Sequence, residues 1–425
     1  VNILIVTYTY PPAKSVNGFR PYHFAKALTA AGWNVSVLTR HFTGQERVPE
    51  DYSRPNRSPF AMDRQPEAVV YRVPFYNAWF NYYKYAWIRN TGLWKVIYFI
   101  QLLFGRTHQE SYNKYFSVYL PSLLKQKAFD LILVESGPTN LVRLVSRCAL
   151  NHKIPYAIDF RDAYYHDMYR DINHLPWNKK IKIRLEEFYM NFSIRHARKV
   201  FSLSDNWLDI LKVPRELRTV VENGFDETSW KLIRKNQPVD RFVISSVGTL
   251  YDQPVLITLL KSIALFLDKG HGDVQVRFVA PGGQAVRSAI KQMLPYENVY
   301  LEENRISYED AIQCTSDSHV LIYHGWKGWS ELSGTKIFDY LRSGNKILVV
   351  PSDDGPLKKW LNRMDAGVIA DSPEEGAIAL QQWYDEWKTN GFLESSTKLK
   401  ELVPYSREAQ SKILEQSLKS ILIPG

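Results

Sequence analysis

A short apolar run that stops in polar residues, then a helix, then another such run: this order recurs along the 425-residue chain and limits it to few folds. Residues 3–6 (Ile-Leu-Ile-Val) form the first run, and Tyr10-Pro11-Pro12 breaks it. A loop through Asn17-Gly18 leads to a helix expected from about residue 21 to 31, which Gly32 ends, and residues 33–38 make the next strand. Strand, loop, helix, strand is a βαβ unit, which requires a parallel sheet with right-handed crossovers. Ligands of such sheets sit at the carboxyl ends of the strands. The loop over residues 7–20 is therefore expected to face a cleft, with Gly18 allowing close backbone approach and Arg20 at the helix start; a plain turn would explain Gly18 as well.

The pattern resumes further on. Strands are expected at 131–134, ending in Glu135-Ser136-Gly137-Pro138, at 156–160, ending in Asp159-Phe160-Arg161-Asp162, at 200–203, and at 219–221, ending in Asn223-Gly224-Phe225-Asp226. A second series follows: strand 242–246 with the loop Gly248-Thr249-Leu250-Tyr251, helix 255–267, strand 275–280 before Pro281-Gly282-Gly283, strand 298–301, and strand 319–323 ending at His324-Gly325. The fold expected is α/β, with two Rossmann-like domains facing across a cleft. The first covers residues 1–226 and the second 241–404, with 227–240 as a polar linker and 405–425 as a terminal helix.

Two stretches interrupt the series. Residues 43–68 are polar and Pro-containing and read as a surface loop. Residues 71–116 interleave Tyr and Trp with Lys84, Arg89, Lys95 and Arg106. That composition suits a membrane interface, and equally a buried helical hairpin. Residues 1–240 carry 34 Lys+Arg against 21 Asp+Glu, while the whole chain has a net charge of +10, so the basic excess lies in the first half. A basic half attracts nucleic acid, anionic lipid or a phosphorylated substrate; no nucleic-acid-binding module is visible. The two cysteines, Cys148 and Cys314, lie far apart without metal-ligand spacing, which suits a reducing compartment and gives no structural zinc. The chain enters a strand at once, without a charged leader, and its most apolar segment, 96–104, is well short of the roughly 20 residues of a bilayer span. A cytoplasmic location, peripheral at the inner face of a membrane, is the expectation.

The stretch from Trp329 to Gly344 concentrates polar chemistry beside an apolar strand at 346–351. A helix over 335–343 sends Ile337, Phe338 and Leu341 to one side and Lys336, Asp339, Tyr340 and Ser343 to the other. Ser333 or Thr335 can cap it and Gly344 can end it in the left-handed conformation. Glu331 lies just ahead of the helix N-terminus, where free N–H groups favour an anion such as a diphosphate. On these residues alone an ordinary helix–strand unit with a solvated polar face is an equal reading.

Taken in order, these segments resemble the glycosyltransferases of the GT-B fold, in the large bacterial nucleotide-sugar-dependent group called family 4. The resemblance is carried by Tyr10-Pro11-Pro12 with Gly18 and Arg20, Gly32-Trp33-Asn34-Val35, Ser136-Gly137-Pro138, Asp159-Phe160-Arg161-Asp162, Asn223-Gly224-Phe225-Asp226, Gly248-Thr249-Leu250-Tyr251 and Lys336-Ile337-Phe338-Asp339-Tyr340-Leu341. It implies a metal-independent hexosyltransferase without a cofactor, retaining configuration and acting in bacterial surface-polysaccharide, O-antigen or glycoconjugate synthesis. In that family two acids with seven residues between them serve the donor. Glu331 and Asp339 match the spacing, with Asp in place of the usual second Glu. The resemblance gives Glu331 the donor-sugar hydroxyls, Asp339 the ribose and Lys336 the phosphates. Ser333, Gly334, Thr335, Gly248, Thr249, Tyr251, Gly18 and Arg20 join the donor-binding set, and Arg161 and Asp162 line the acceptor side. The acceptor would be a glycan, a lipid-linked sugar or a protein. The loop Gly248–Gln253 lacks the family's basic residues, so the diphosphate charge falls to Lys336, Arg20 or backbone N–H groups. A nucleotide-sugar 2-epimerase and a non-catalytic subunit of the same fold are the alternatives.

Overall fold

The computed structural model describes residues 1–13, 16–46, 56–75, 91, 114–137, 139–161, 173, 175–250, 254–325, 334–351, 356–395 and 397–422. Contacts divide the chain into two compact units, one of residues 1–45, 54–222 and 411–425, the other of 46–53 and 223–410.

In the first unit, β1 (Asn2–Val6), α1 (Val16–Ala30), β2 (Asn34–Arg40), β3 (Ala61–Gln65), β4 (Ala68–Val73) and α2 (Lys114–Gln126) come first. They are followed by β5 (Leu131–Glu135), α3 (Thr139–Asn151), β6 (Tyr156–Phe160), α4 (Trp177–His196), β7 (Lys199–Ser202), α5 (Asp205–Ile210) and β8 (Arg218–Val220). The sheet order is β3-β4-β2-β1-β5-β6-β7-β8, parallel except for β3. The central strands are buried along their whole length, as Ile3–Val6, Leu131–Glu135 and Tyr156–Phe160 show. Near-continuous apolar runs are what a parallel sheet covered on both faces needs.

The second unit holds α6 (Glu227–Trp230), β9 (Phe242–Val247), α7 (Pro254–Leu267), β10 (Val274–Val279), α8 (Gln284–Met293), β11 (Val299–Glu302), α9 (Tyr308–Ser316) and β12 (Val320–Tyr323). Next come α10 (Lys336–Ser343), β13 (Lys346–Val349), α11 (Pro356–Met364), β14 (Gly367–Ile369), α12 (Pro373–Asn390) and α13 (Leu399–Leu402). All six strands are parallel in the order β11-β10-β9-β12-β13-β14. This is the doubly wound order, which reverses between the first strand and the fourth. Helix α14 (Arg407–Leu422) begins in this unit and ends in the first, where Leu414 and Leu418 join the core around Ile3 and Val35.

Several expectations change. Part of the 43–68 stretch is not loop: β3 pairs antiparallel with β4, and Arg72 is bonded to Asp63 at 2.6 Å. As an exposed edge strand, β3 shows no apolar alternation by which to find it. Helix α1 starts at Val16, so Gly18 and Arg20 are helical rather than in a loop; a Cβ on Gly18 would make only ordinary contacts with Tyr10 and Thr9. Residues 227–240 pack on the second unit: Trp230 is buried, Lys235 and Gln237 donate to the Asn345 side chain, and the Asn236 N–H donates to Asp317. Most of the 71–116 stretch, including all its aromatics from Tyr76 to Tyr112, lies outside the described residues. Among the described residues no helix is long and apolar enough to cross a membrane.

Candidate functional site

Each sheet gathers polar groups where its strand order reverses. In the second unit this point lies between the carboxyl ends of β9 and β12, and α10 runs across it. Ile337, Phe338 and Leu341 bury the apolar side of α10, worth roughly 1.5–3 kcal/mol for each large side chain. Gly344 stops the helix at φ 70°, the left-handed conformation expected. Of the two candidate caps, Thr335 takes the cap position in a helical conformation and makes no side-chain cap bond, and Ser333 is outside the described residues. Of the two readings of the polar side, the solvated one does not hold for Asp339 and Tyr340, which are buried. The hydroxyl of Tyr340 accepts from the Val247 N–H at 2.8 Å and donates to the Val247 carbonyl at 3.3 Å, closing the end of β9.

Lys336 enters this strand-end region from the first turn of α10. Its Nζ donates to the Thr249 carbonyl at 3.1 Å and lies 4.9 Å from the centre of the Tyr323 ring. Although the residue keeps some surface, its ammonium end is desolvated, which brings its pKa down to about 7. Among the described residues no carboxylate pairs with it. Beside it His324 is buried and held neutral, its pKa lowered to about 3 by burial and by the Lys336 charge. Two glycines lie near the lysine, one required by its backbone conformation and one by the Tyr323 hydroxyl. Gly248 has φ +90°, and a Cβ there would meet the Lys336 side chain at 3.9 Å; a Cβ on Gly334 would stand 2.7 Å from the Tyr323 hydroxyl.

Asp339 is one helical turn further on. Its Oδ1 accepts from the Tyr308 hydroxyl at 2.7 Å and from Trp230 Nε1 at 3.0 Å. Burial raises its pKa, against the pull of these two donors. Neither donor was assigned from the sequence, because Trp230 and Tyr308 lie 109 and 31 residues away, Trp230 within the stretch read as a polar linker. Glu331, Ser333 and Tyr251 are outside the described residues.

The first sheet reverses between β1 and β5. Here the Thr7 hydroxyl donates to Glu135 Oε2, and Arg161 Nη1 donates to Glu135 Oε1 at 3.3 Å. Burial pushes the Glu135 carboxyl up to about 7, with Arg161 and Thr7 pulling it down. Arg161 Nη1 also lies 3.5 Å from the Asn17 carbonyl. That is the oxygen, four residues earlier in α1, to which Pro21 has no N–H to donate. Arg20 makes a two-pronged pair with Asp159, Nε to Oδ2 at 2.7 Å and Nη2 to Oδ1 at 2.8 Å, and Nη1 reaches the Glu222 carbonyl at 3.2 Å. The Arg20 guanidinium thus already has its counter-charge within the first sheet. Asp162 is outside the described residues. Sequence reasoning quoted Glu135 as a strand ending but gave it no role; its position beside Thr7 at the strand-order reversal is the signal that could have found it.

Residues 18–224 match the glycosyl transferase 4-like domain. Among curated proteins none matches the sequence significantly. Solved structures align over nearly the whole chain at low identity. A sucrose-phosphate synthase from Thermosynechococcus elongatus is 13% identical, with 99% of this chain and 98% of that chain covered and a TM-score of 0.64. An E. coli structure described as trehalose-6-phosphate bound with UDP-2-fluoro glucose is 12% identical, covering 100% of both chains at a TM-score of 0.65. A putative UDP-N-acetylglucosamine 2-epimerase from Listeria monocytogenes is 12% identical, with 99% and 96% covered and a TM-score of 0.56. The chain has the GT-B fold, two Rossmann-like units each with its own mainly parallel sheet, and its residues 18–224 are similar to the glycosyl transferase 4-like domain.

Proposed function

We propose that the protein transfers a hexose from a nucleoside diphosphate sugar to an acceptor hydroxyl, with retention of configuration, in the synthesis of a bacterial surface polysaccharide or glycoconjugate. The second unit takes the donor. The observation that carries this reading is the desolvated Lys336 ammonium at the strand-order reversal of β9 and β12, held only by a carbonyl and a ring among the described residues. A cation so placed favours an anion that completes its coordination, and a diphosphate does so. Breaking the anomeric bond leaves negative charge on the departing phosphate and an oxocarbenium-like sugar. Lys336 stabilises the first, and Glu331 holds the hydroxyls of the second. Asp339 takes the ribose with the oxygen not used by Trp230 and Tyr308. Gly334, Thr335, Ser333, Gly248, Thr249 and Tyr251 surround the donor, while Arg161 and Asp162 face the acceptor, a glycan or lipid-linked sugar.

Incubation of the purified protein with a panel of nucleotide sugars, with and without a lipid extract, tests the reading through nucleoside diphosphate release. Acceptor-dependent release is the expected result. Epimerised sugar nucleotide without release would instead assign the chemistry of the epimerase of the same fold. A protein that neither binds nor turns over any donor would overturn the enzymatic reading. Within the donor site, Glu331→Gln is expected to lower turnover more than donor binding.

A further inference from the structure

Helix α4 carries large apolar residues on both of its sides. One side is packed: Ile183, Ser193 and Ile194 are buried, Ser193 Oγ lies 2.9 Å from Ser146 Oγ in α3, and the Tyr156 hydroxyl of β6 donates to the Ser193 carbonyl at 2.6 Å. The opposite side holds Trp177, Ile181, Phe188 and Phe192, with relative exposures of 64%, 37%, 66% and 42%. Their positions follow the four- and three-residue steps of a single helical face, forming a stripe about 22 Å long. Isolated apolar residues are common on a surface. Four large ones in a row on a helix whose other side is already packed are not, because the outward face of such a helix is normally polar.

The charge in this stripe has one sign. Arg184 and Arg195 stand between and beyond the aromatics, both exposed, while Glu186 lies on the packed side and Glu187 at its edge, both half-buried. The basic excess of the chain is in the same half. We infer that this face of α4 docks the protein on an anionic lipid surface, with Trp177, Ile181, Phe188 and Phe192 entering the headgroup boundary and Arg184 and Arg195 meeting lipid phosphates. A helix lying in the interface plane combines these two terms, apolar burial and the attraction of each basic residue to an anionic leaflet. Pairing of this face with itself in a second copy would set arginine against arginine, which disfavours self-association. No donor or acceptor chemistry enters, so the inference stands apart from the proposed reaction.

The test is sedimentation of the full chain with vesicles of phosphatidylcholine alone and of phosphatidylcholine mixed with phosphatidylglycerol. Binding to the anionic vesicles is expected, together with a loss of about tenfold or more in partitioning for Phe188→Ser/Phe192→Ser. Arg184→Glu/Arg195→Glu is expected to remove the preference for anionic lipid. Both double variants should keep the wild-type unfolding midpoint, since all four side chains already face solvent. Wild-type partitioning by both variants would place lipid binding elsewhere in the chain, such as residues 76–113, and overturn the inference. So would absence of vesicle binding, or a wild-type dimer that Phe188→Ser/Phe192→Ser converts to a monomer.

Discussion

The Lys336 ammonium donates to the carbonyl of Thr249 across 3.1 Å, joining the first turn of α10 to the loop after β9 without an ion pair among the described residues. Replacing it with Met removes a charge-assisted contact to a bound diphosphate, worth about 1.5–3 kcal/mol. Affinity for a nucleoside diphosphate should fall by roughly ten- to a hundredfold in a calorimetric titration. The folded protein should hold its stability or gain some, because a desolvated charge is lost.

The same lysine sets a pH dependence. Desolvation holds its folded pKa at about 7, below the ordinary lysine value of 10.5. Over that interval the unfolded chain binds the proton and the unliganded folded protein does not, so this group's contribution to stability rises with pH between about 7 and 10.5. Diphosphate binding runs the other way: it needs the ammonium and weakens as pH rises through the same interval. Titrations at several pH values should show this decline, and it should disappear in Lys336→Met.

Asp339→Ala acts on two links at once. It leaves the Tyr308 hydroxyl and Trp230 Nε1 without their acceptor, at about 1–3 kcal/mol for each buried donor. It also removes the proposed ribose contact. Tyr308→Phe separates the two effects: it should cost only about 1 kcal/mol in urea unfolding. With one donor gone the Asp339 carboxyl titrates higher, so the pH below which nucleotide affinity falls should move upward.

Arg20 and Asp159 are nearly fully buried, with side-chain exposures of 4% and 2%. Asp159→Asn leaves the guanidinium without its charge partner, and unfolding should be easier by about 3–5 kcal/mol. The double variant Arg20→Met/Asp159→Asn should recover part of that loss, a non-additivity that denaturant titration of the two single variants and the double variant would measure.

Glu135 has its folded pKa raised from 4.5 to about 7, chiefly by burial. The folded state therefore holds the proton over that interval while the unfolded chain has released it. The stabilisation is complete below about 4.5 and is lost as pH rises through about 7. Glu135→Gln cannot ionise, so the wild type should lose stability relative to the variant as pH climbs over this range. Urea midpoints measured for both at a series of pH values would show the divergence.

Apolar runs ending in polar residues fix much of this protein by themselves. Residues 2–6, 131–135, 156–160 and 242–247 are strands because they are mostly apolar, with Asn2, Glu135, Asp159, Ser245 and Ser246 the exceptions, and stop at Thr7, Ser136, Arg161 and Gly248, and their recurrence dictates two sheets of mainly parallel strands. Spacing along α10 likewise places Ile337, Phe338 and Leu341 inward and Gly344 at its end. What packs against a polar group is not written in local periodicity. On their spacing alone Lys336, Asp339 and Tyr340 could equally form a solvated face or line a site, because a helix wheel shows which residues share a side and not what covers it. Tertiary packing covers that side with Thr249, Tyr323, Trp230, Tyr308 and the end of β9, turning polar residues into desolvated ones with altered proton affinities. The exposed edge strand β3, the pairing of Arg20 with Asp159 and the second apolar side of α4 were settled in the same way, by contacts between residues far apart in the chain or, for α4, by which of its sides that packing left uncovered.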